Sequence, residues 1–167
     1  MKTAVLLGTA RYDGNTYKLA QAVQEALDIE LFMLKNFTIS DYDYEHKNLD
    51  DDFLSLVQEL LTYDHIVFAS PVYWYGMSAP MKKFFDRLSD LITVAKDTGR
   101  KLQGKPCSIL ATGSEPRVPN CFEDSFSLTF NYLGMDYQGI LYCNCGSDFE
   151  KHPHQQQITS FIDTICA

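Results

Sequence analysis

The sequence predicts an α/β protein built on a parallel five-stranded sheet in the order 2-1-3-4-5, with helices on both faces. Three observations carry this prediction. Short apolar runs alternate with helical apolar spacing five times along the chain, no tight-turn signal joins one strand to the next, and 167 residues suit one core. Strands that alternate with helices pair in parallel. Right-handed crossovers leave few topologies, and five strands favour this order over the six-stranded dinucleotide-binding one.

Each element follows from its local pattern. Residues 3–8, Thr-Ala-Val-Leu-Leu-Gly, are a continuous apolar run ending in glycine, as a strand buried on both faces should be. From Asn15 to Leu27 the apolar residues Leu19, Ala20, Val23, Ala26 and Leu27 have helical spacing. Asp28 to Leu34 is the second strand, and a polar stretch without period runs from Lys35 to Asp50. Asp51 to Leu61 is helical, with Phe53, Leu54, Val57, Leu60 and Leu61 on one side. His65 to Ala69 is the third strand, Ser78 to Leu91 a helix, and Lys105 to Ala111 the fourth strand. Cys121 to Leu133 is helical, Tyr137 to Tyr142 is the fifth strand, and Gln155 to Ile165 is the last helix. No repeat, low-complexity tract or linker interrupts this series, which predicts a single domain over residues 1–167.

Composition narrows the function classes. A formal net charge of −8 would repel DNA or RNA over most of the surface. It is compatible with docking onto a basic electron-transfer partner. No apolar run approaches the roughly 20 residues of a membrane span. The apolar run at Ala4–Gly8 is too short for a signal peptide, so a cytoplasmic location is expected. The five cysteines are odd in number and irregularly spaced, which predicts reduced thiols. Cys143 and Cys145 lack a second pair at zinc-site spacing and read as small half-buried thiols at a strand end, with no metal. His46, His65, His152 and His154 form no triad or metal pattern and are expected in solvated or capping roles.

In such a sheet, ligands bind outside the carboxyl ends of the strands, at the switch point of strand order. That places the chemistry on the loops after strands 1, 3 and 4. The first loop, Gly8-Thr9-Ala10-Arg11-Tyr12-Asp13-Gly14-Asn15-Thr16, leads into a helix N-terminus, whose free N–H groups and dipole suit a phosphate. Thr9, Asn15 and Thr16 offer donors, and Arg11 a charge-assisted contact. The Gly-Lys-Ser/Thr ending of a P-loop and the G-x-G-x-x-G fingerprint are both absent. A plain βα turn capped by Asn15 is the alternative. The second loop, Ser70-Pro71-Val72-Tyr73-Trp74-Tyr75-Gly76-Met77, sets three consecutive aromatics at a strand tip. They suit stacking on a flat heteroaromatic ligand or a subunit interface. The third loop, Ala111-Thr112-Gly113-Ser114-Glu115-Pro116, offers small hydroxyls and backbone donors to the same region.

These residues also carry a family resemblance. Thr9-Ala10-Arg11 through Gly14-Asn15-Thr16, with Leu19-Ala20, resembles the opening pattern of the NADPH-dependent FMN reductase and flavodoxin-like NAD(P)H oxidoreductase families. Ser70-Pro71-Val72-Tyr73-Trp74, Met77-Ser78-Ala79, Met81-Lys82 and Asp86-Arg87-Leu88 are similar to their most specific segment, and Gly99-Arg100-Lys101-Leu102 with Gly104-Lys105-Pro106 to the run before their fourth strand. The resemblance implies a flavodoxin-like three-layer sandwich that binds FMN. Thr9, Arg11, Asn15 and Thr16 would hold the phosphate. Pro71, Val72, Tyr73 and Trp74 would line the ring, with Gly76 at its reactive edge and a Tyr75 or Gly76 N–H on the flavin's N5 or O4. Thr112 and Gly113 would face the pyrimidine side. Ser78 caps the following helix in this reading.

The implied chemistry is electron transfer from NAD(P)H as co-substrate, through FMN, to a quinone, aromatic or other acceptor, with no dedicated catalytic side chain. An electron carrier of the flavodoxin kind, or a scaffold that has lost the flavin, are the other classes. Thr9 stands where serine is usual and Ser114 where a second glycine is frequent, and residues 35–52 hold no cysteine for an iron–sulfur cluster. The resemblance also implies a homodimer, to which Phe84, Phe85 and Leu88 contribute unless they face the core. Residues 41–52, with Tyr42, Tyr44 and five aspartates, are either a pocket cover or, more simply, a solvated connection.

Overall fold

The computed structural model describes residues 1–166, so Ala167, included in the predicted domain, lies outside the described residues. The strands are β1 (Thr3–Leu7), β2 (Ile29–Met33), β3 (His65–Pro71), β4 (Pro106–Gly113) and β5 (Asp136–Asn144). All pairs are parallel, in the predicted order β2-β1-β3-β4-β5. The helices are α1 (Asn15–Gln24), α2 (Phe53–Leu60), α3 (Ala79–Arg87), α4 (Asp90–Thr93), α5 (Lys96–Arg100), α6 (Asn120–Leu133) and α7 (Lys151–Cys166), with a 3-10 turn at Leu34–Asn36.

Strand alternation divides the core into two layers. On one face Ala4, Leu6, Ile66, Phe68, Cys107 and Ile109 pack against α2, α3 and α6. On the other, Val5, Leu7, Val67, Ala69, Leu110 and Leu141 pack against α1 and α7. The first layer is rich in aromatic contacts. Phe68, Phe84, Phe85, Phe126 and Phe130 form a connected cluster with centroids 4.9–6.5 Å apart. Phe84, Phe85 and Leu88 therefore face the core and are unavailable to a subunit interface.

The helix predicted over Ser78–Leu91 is instead broken. Leu88, Ser89 and Leu91 donate to carbonyls three residues back, which tightens the chain into a turn before α4. Gly99 then lies against Leu91, where a Cβ would stand 2.1 Å from the Leu91 oxygen. β5 is longer than predicted and irregular. Cys107 pairs with Tyr137 but Ile109 with Ile140, so β5 holds one extra residue, and Gly139 there has φ +109.

The cysteines are all free. Cys143 is fully buried and Cys145 nearly so, rather than half-buried, and burial pushes the Cys143 thiol up to about 12. Two histidines depart from solvated roles. His65 is buried on β3 with its Nε2 3.0 Å from Ser108 Oγ, and His46 Nδ1 lies 3.0 Å from Asp90 Oδ1. Among the described residues no helix is long and apolar enough to cross a membrane.

Candidate functional site

The three loops meet at the carboxyl ends of β1, β3 and β4, joined by specific bonds. Ser78 Oγ donates to the Gly8 carbonyl (2.7 Å), and the Ser78 N–H donates to Ser70 Oγ (3.0 Å). This ties the first loop to the second. A Cβ on Gly8 would stand 2.9 Å from Met81 Cβ, so glycine is what lets α3 approach β1 so closely. The Val72 N–H donates to the Thr112 carbonyl at 2.8 Å, and Thr16 Oγ1 lies 2.8 Å from Thr112 Oγ1. First, second and third loops are thus one hydrogen-bonded unit.

They enclose a cavity of 230 Å³ lined by Arg11, Gly14, Asn15, Thr16, Pro71, Val72, Tyr73, Thr112, Gly113, Ser114 and Cys145. Eight of the eleven residues singled out in the sequence share this lining; Thr9, Trp74 and Gly76 lie outside it. Gly14, Ser114 and Cys145 are additions. Cys145 escaped the sequence reading because its neighbourhood depends on β5 running to Asn144 and on the Cys145 N–H donating to the Gly113 carbonyl (2.7 Å).

The floor is the N-terminus of α1. Its N-cap is Gly14, extended at φ −81°, and no side chain caps it. Asn15 is not the cap, because its amide is engaged elsewhere. Its Oδ1 accepts the Phe149 N–H (3.0 Å) and its Nδ2 donates to the Ser147 carbonyl. The first-turn N–H groups of α1 are left free to bind an anion. By contrast Ser78 caps α3, accepting the Met81 N–H as predicted. Arg11 is exposed and in the lining, with no carboxylate within salt-bridge distance among the described residues. An uncapped helix start beside an unpaired guanidinium fits a phosphate monoester.

The second loop closes as a two-residue hairpin. The Tyr73 N–H donates to the Gly76 carbonyl (2.9 Å) and the Gly76 N–H to the Tyr73 carbonyl (3.0 Å). Trp74 and Tyr75 occupy the turn with φ +48° and +65°. That is a type I′ turn, which ordinarily takes Asn and Gly. Two aromatic side chains there hold backbone strain, which is rare away from functional sites. The Gly76 N–H is consumed inside the hairpin, which leaves Tyr75 of the two donors considered for a flavin. Tyr73, Trp74 and Tyr75 are 44%, 95% and 57% exposed, so the hairpin presents aromatic surface to solvent rather than to the core.

On the third loop, Gly113 sits under Tyr142, whose hydroxyl donates to the Glu115 carbonyl at 2.7 Å. A Cβ at Gly113 would stand 2.8 Å from that hydroxyl and 3.3 Å from Val72 Cβ. Glycine here keeps the wall of the cavity thin.

Residues 41–52 do not line the cavity. Exposed or half-buried along its whole length, the stretch is the solvated connection, and Arg87 organises it. Its guanidinium is fully buried, lies over the Phe53 ring, pairs with Asp51, and donates to Asp90 Oδ2 (2.7 Å) and the Ser40 carbonyl (3.1 Å). Nothing in the local sequence marked Arg87 as a buried hub, since its partners come from two separate stretches.

Comparison with known proteins shows the family and the fold. The family model for NADPH-dependent FMN reductases matches residues 1–140. A Bacillus subtilis (strain 168) protein with the provisional name NAD(P)H-dependent FMN-containing oxidoreductase YwqN is 30% identical over 151 residues, covering 84% of this chain and 83% of that one. Among solved structures, the Trp repressor binding protein from B. subtilis superposes with a TM-score of 0.76 at 21% identity, covering 99% of this chain and 97% of that one. An FMN-dependent NADH-azoreductase from Bacillus anthracis str. Ames Ancestor, in complex with FMN, gives 0.71 at 13% identity, covering 99% and 97%. These two likenesses show the fold alone. On the family match and the curated relative, the chain belongs to the NADPH-dependent FMN reductase family.

Proposed function

We propose that this flavin oxidoreductase passes electrons from NAD(P)H through FMN to a small quinone or another flat aromatic acceptor. The observation that carries the acceptor class is the strained hairpin at Tyr73–Gly76, which displays aromatic faces beside the cavity. Planar acceptors stack on such faces. In this reading Arg11, Asn15, Thr16 and the α1 N-terminus hold the FMN phosphate, with Thr9 bracing the loop by accepting the Arg11 N–H. Pro71, Val72 and Tyr73 bound the ring, with Trp74 and Gly76 completing the hairpin outside it. Thr112 and Gly113 meet the pyrimidine edge. When bound, FMN supplies the two-electron exchange between nicotinamide and acceptor.

The chain's own residues bind and orient. No histidine or carboxylate lines the cavity, and burial pushes the Cys145 thiol up, so it stays protonated. No side chain there is placed as a dedicated acid or base, and protons exchange with solvent. A homodimer in the cytoplasm completes the proposal. One face available for pairing is α6, where Leu128 and Tyr132 are exposed.

The test is an anaerobic visible spectrum of the purified chain with FMN, before and after NADPH and then NADH. Rapid bleaching followed by reoxidation with a quinone supports the reading. Bleaching by dithionite alone marks an electron carrier, and failure to bind FMN overturns the proposal.

A further inference from the structure

A second cavity, of 450 Å³, lies on the other flank of the first loop. Thr9, Ala10 and Tyr12 line this slot, whereas Arg11 and Gly14 of the same loop line the cavity between the three loops. Two neighbouring side chains, Arg11 and Tyr12, therefore leave the loop on opposite flanks.

Tyr12 is the fixed member of this pair. Its hydroxyl accepts the Lys35 N–H at 2.9 Å, and the Lys35 ammonium lies over its ring, 4.2 Å from the centroid. The half-buried ring packs against the layer of Val5, Leu7 and Leu19. Burial pushes the phenol up, opposed by the Lys35 and Thr9 amides beside its oxygen, so the hydroxyl stays protonated. Arg11 has no such anchors. It is exposed, and its guanidinium meets no protein acceptor among the described residues, while its N–H donates to Thr9 Oγ1 at 3.4 Å. Yet its Nε lies beside the uncapped start of α1, since a Cβ on Gly14 would stand 3.7 Å from it. It is also the one charged side chain in the cavity lining.

A long side chain loses rotamer freedom when it grips an anion, and a backbone already held in the binding direction lowers that cost. The anchored phenol fixes the backbone at residues 11 and 12, and with it the direction in which Arg11 leaves the loop. We infer that Tyr12 is a positioning residue that aims Arg11 at the flavin phosphate, and so makes the site prefer FMN over riboflavin, the same flavin without its phosphate. The inference deepens the reading of the first loop as the phosphate site and rests on it.

The experiment titrates the full-length chain with FMN and with riboflavin, followed by quenching of flavin fluorescence. The proteins are wild type, Arg11→Ala, Tyr12→Phe and the double variant. Tyr12→Phe keeps the ring, its packing and the lysine above it, and removes the hydroxyl alone. It should lose about fivefold in FMN affinity, the size of one neutral hydrogen bond, and nothing in riboflavin affinity. Arg11→Ala should lose about tenfold for FMN alone, as for one charge-assisted contact. Because Tyr12 acts through Arg11, the double variant should bind FMN no more weakly than Arg11→Ala. Equal losses for both flavins in Tyr12→Phe would mark a merely structural residue and overturn the inference, as would no loss at all or additive losses in the double variant. Loss of the FMN preference in Arg11→Ala but not in Tyr12→Phe overturns the role of Tyr12 alone. If the wild type shows no preference, or Arg11→Ala leaves it unchanged, the phosphate reading of the first loop falls and the role of Tyr12 with it.

Discussion

Thr16 and Thr112 share a hydroxyl–hydroxyl hydrogen bond of 2.8 Å across 96 residues of sequence, with both side chains buried at the edge of the cavity between the three loops. The bond clamps the first turn of α1 to the end of β4. Thr16→Val or Thr112→Val alone leaves one buried hydroxyl without its partner, at about 1–3 kcal/mol. The double Val variant removes both polar groups and should lose less than the sum of the singles. Urea unfolding of the four proteins measures the coupling. Strict additivity would show that the two hydroxyls act independently.

Gly113 predicts a steric rescue. In Gly113→Ala the new methyl meets the Tyr142 hydroxyl at 2.8 Å and pushes the third loop into the cavity. FMN affinity should fall about tenfold, the effect of roughly 1.4 kcal/mol. Adding Tyr142→Phe removes the blocking oxygen and should restore most of the affinity, as followed by quenching of flavin fluorescence. No recovery in the double variant would place the conflict at Val72 instead.

Arg87 predicts a loss of stability and of local order. Arg87→Met leaves Asp90 buried without its guanidinium, a change worth about 3–5 kcal/mol. Amide exchange should accelerate over residues 40–52, the stretch that Arg87 ties down. Burial alone raises Asp51, but the Arg87 guanidinium and the Ser40 and Phe53 amides outweigh it and hold the carboxyl below its usual range. The pair's contribution is therefore complete above the unfolded aspartate value of about 3.9 and disappears as pH falls through the lower folded value. Thermal unfolding of wild type and Arg87→Met should converge in acid.

His65 predicts a second pH dependence, in a different window. Burial, opposed weakly by Asp136, pushes its imidazole down to about 4. The folded state holds it neutral while the unfolded chain protonates near pH 6.5, about its free value. Stability is thus complete above about pH 6.5 and is lost progressively down to about pH 4. At pH 5 the single group accounts for about 2 kcal/mol. Denaturant curves at pH 7 and pH 5 should show this difference in wild type and lack it in His65→Gln. An imidazole NMR titration centred near 6.5 would refute the buried neutral state.

The strand order and the meeting of the three loops at one cavity were readable because β1 and β3 are uninterrupted apolar runs and the loops carry residue types that stand out locally. What escaped depends on partners distant in sequence. The break after Arg87 arises from the buried Asp90 and from Gly99 packed on Leu91. The seat of Cys145 in the cavity needs β5 to run past Tyr142. The resemblance implies that Thr9 holds a phosphate, and in the fold Thr9 lines the neighbouring slot. The resemblance implies that Trp74 lines the ring, and in the fold the I′ turn leaves it exposed to solvent. Helical and strand periods report which face is buried, whereas loop side chains take their direction from a few dihedral angles that no period encodes.

The extra residue in β5 bears on how copies of this protein avoid one another. β5 is the outermost strand, nine residues long, and it pairs with β4 alone. A regular edge of that length is a template on which a foreign strand could grow and seed fibrils. The bulge beside Gly139 breaks the spacing of its outward amides and carbonyls, so neither half offers a run long enough to recruit one. A one-residue irregularity in the register thus serves as a guard against self-aggregation.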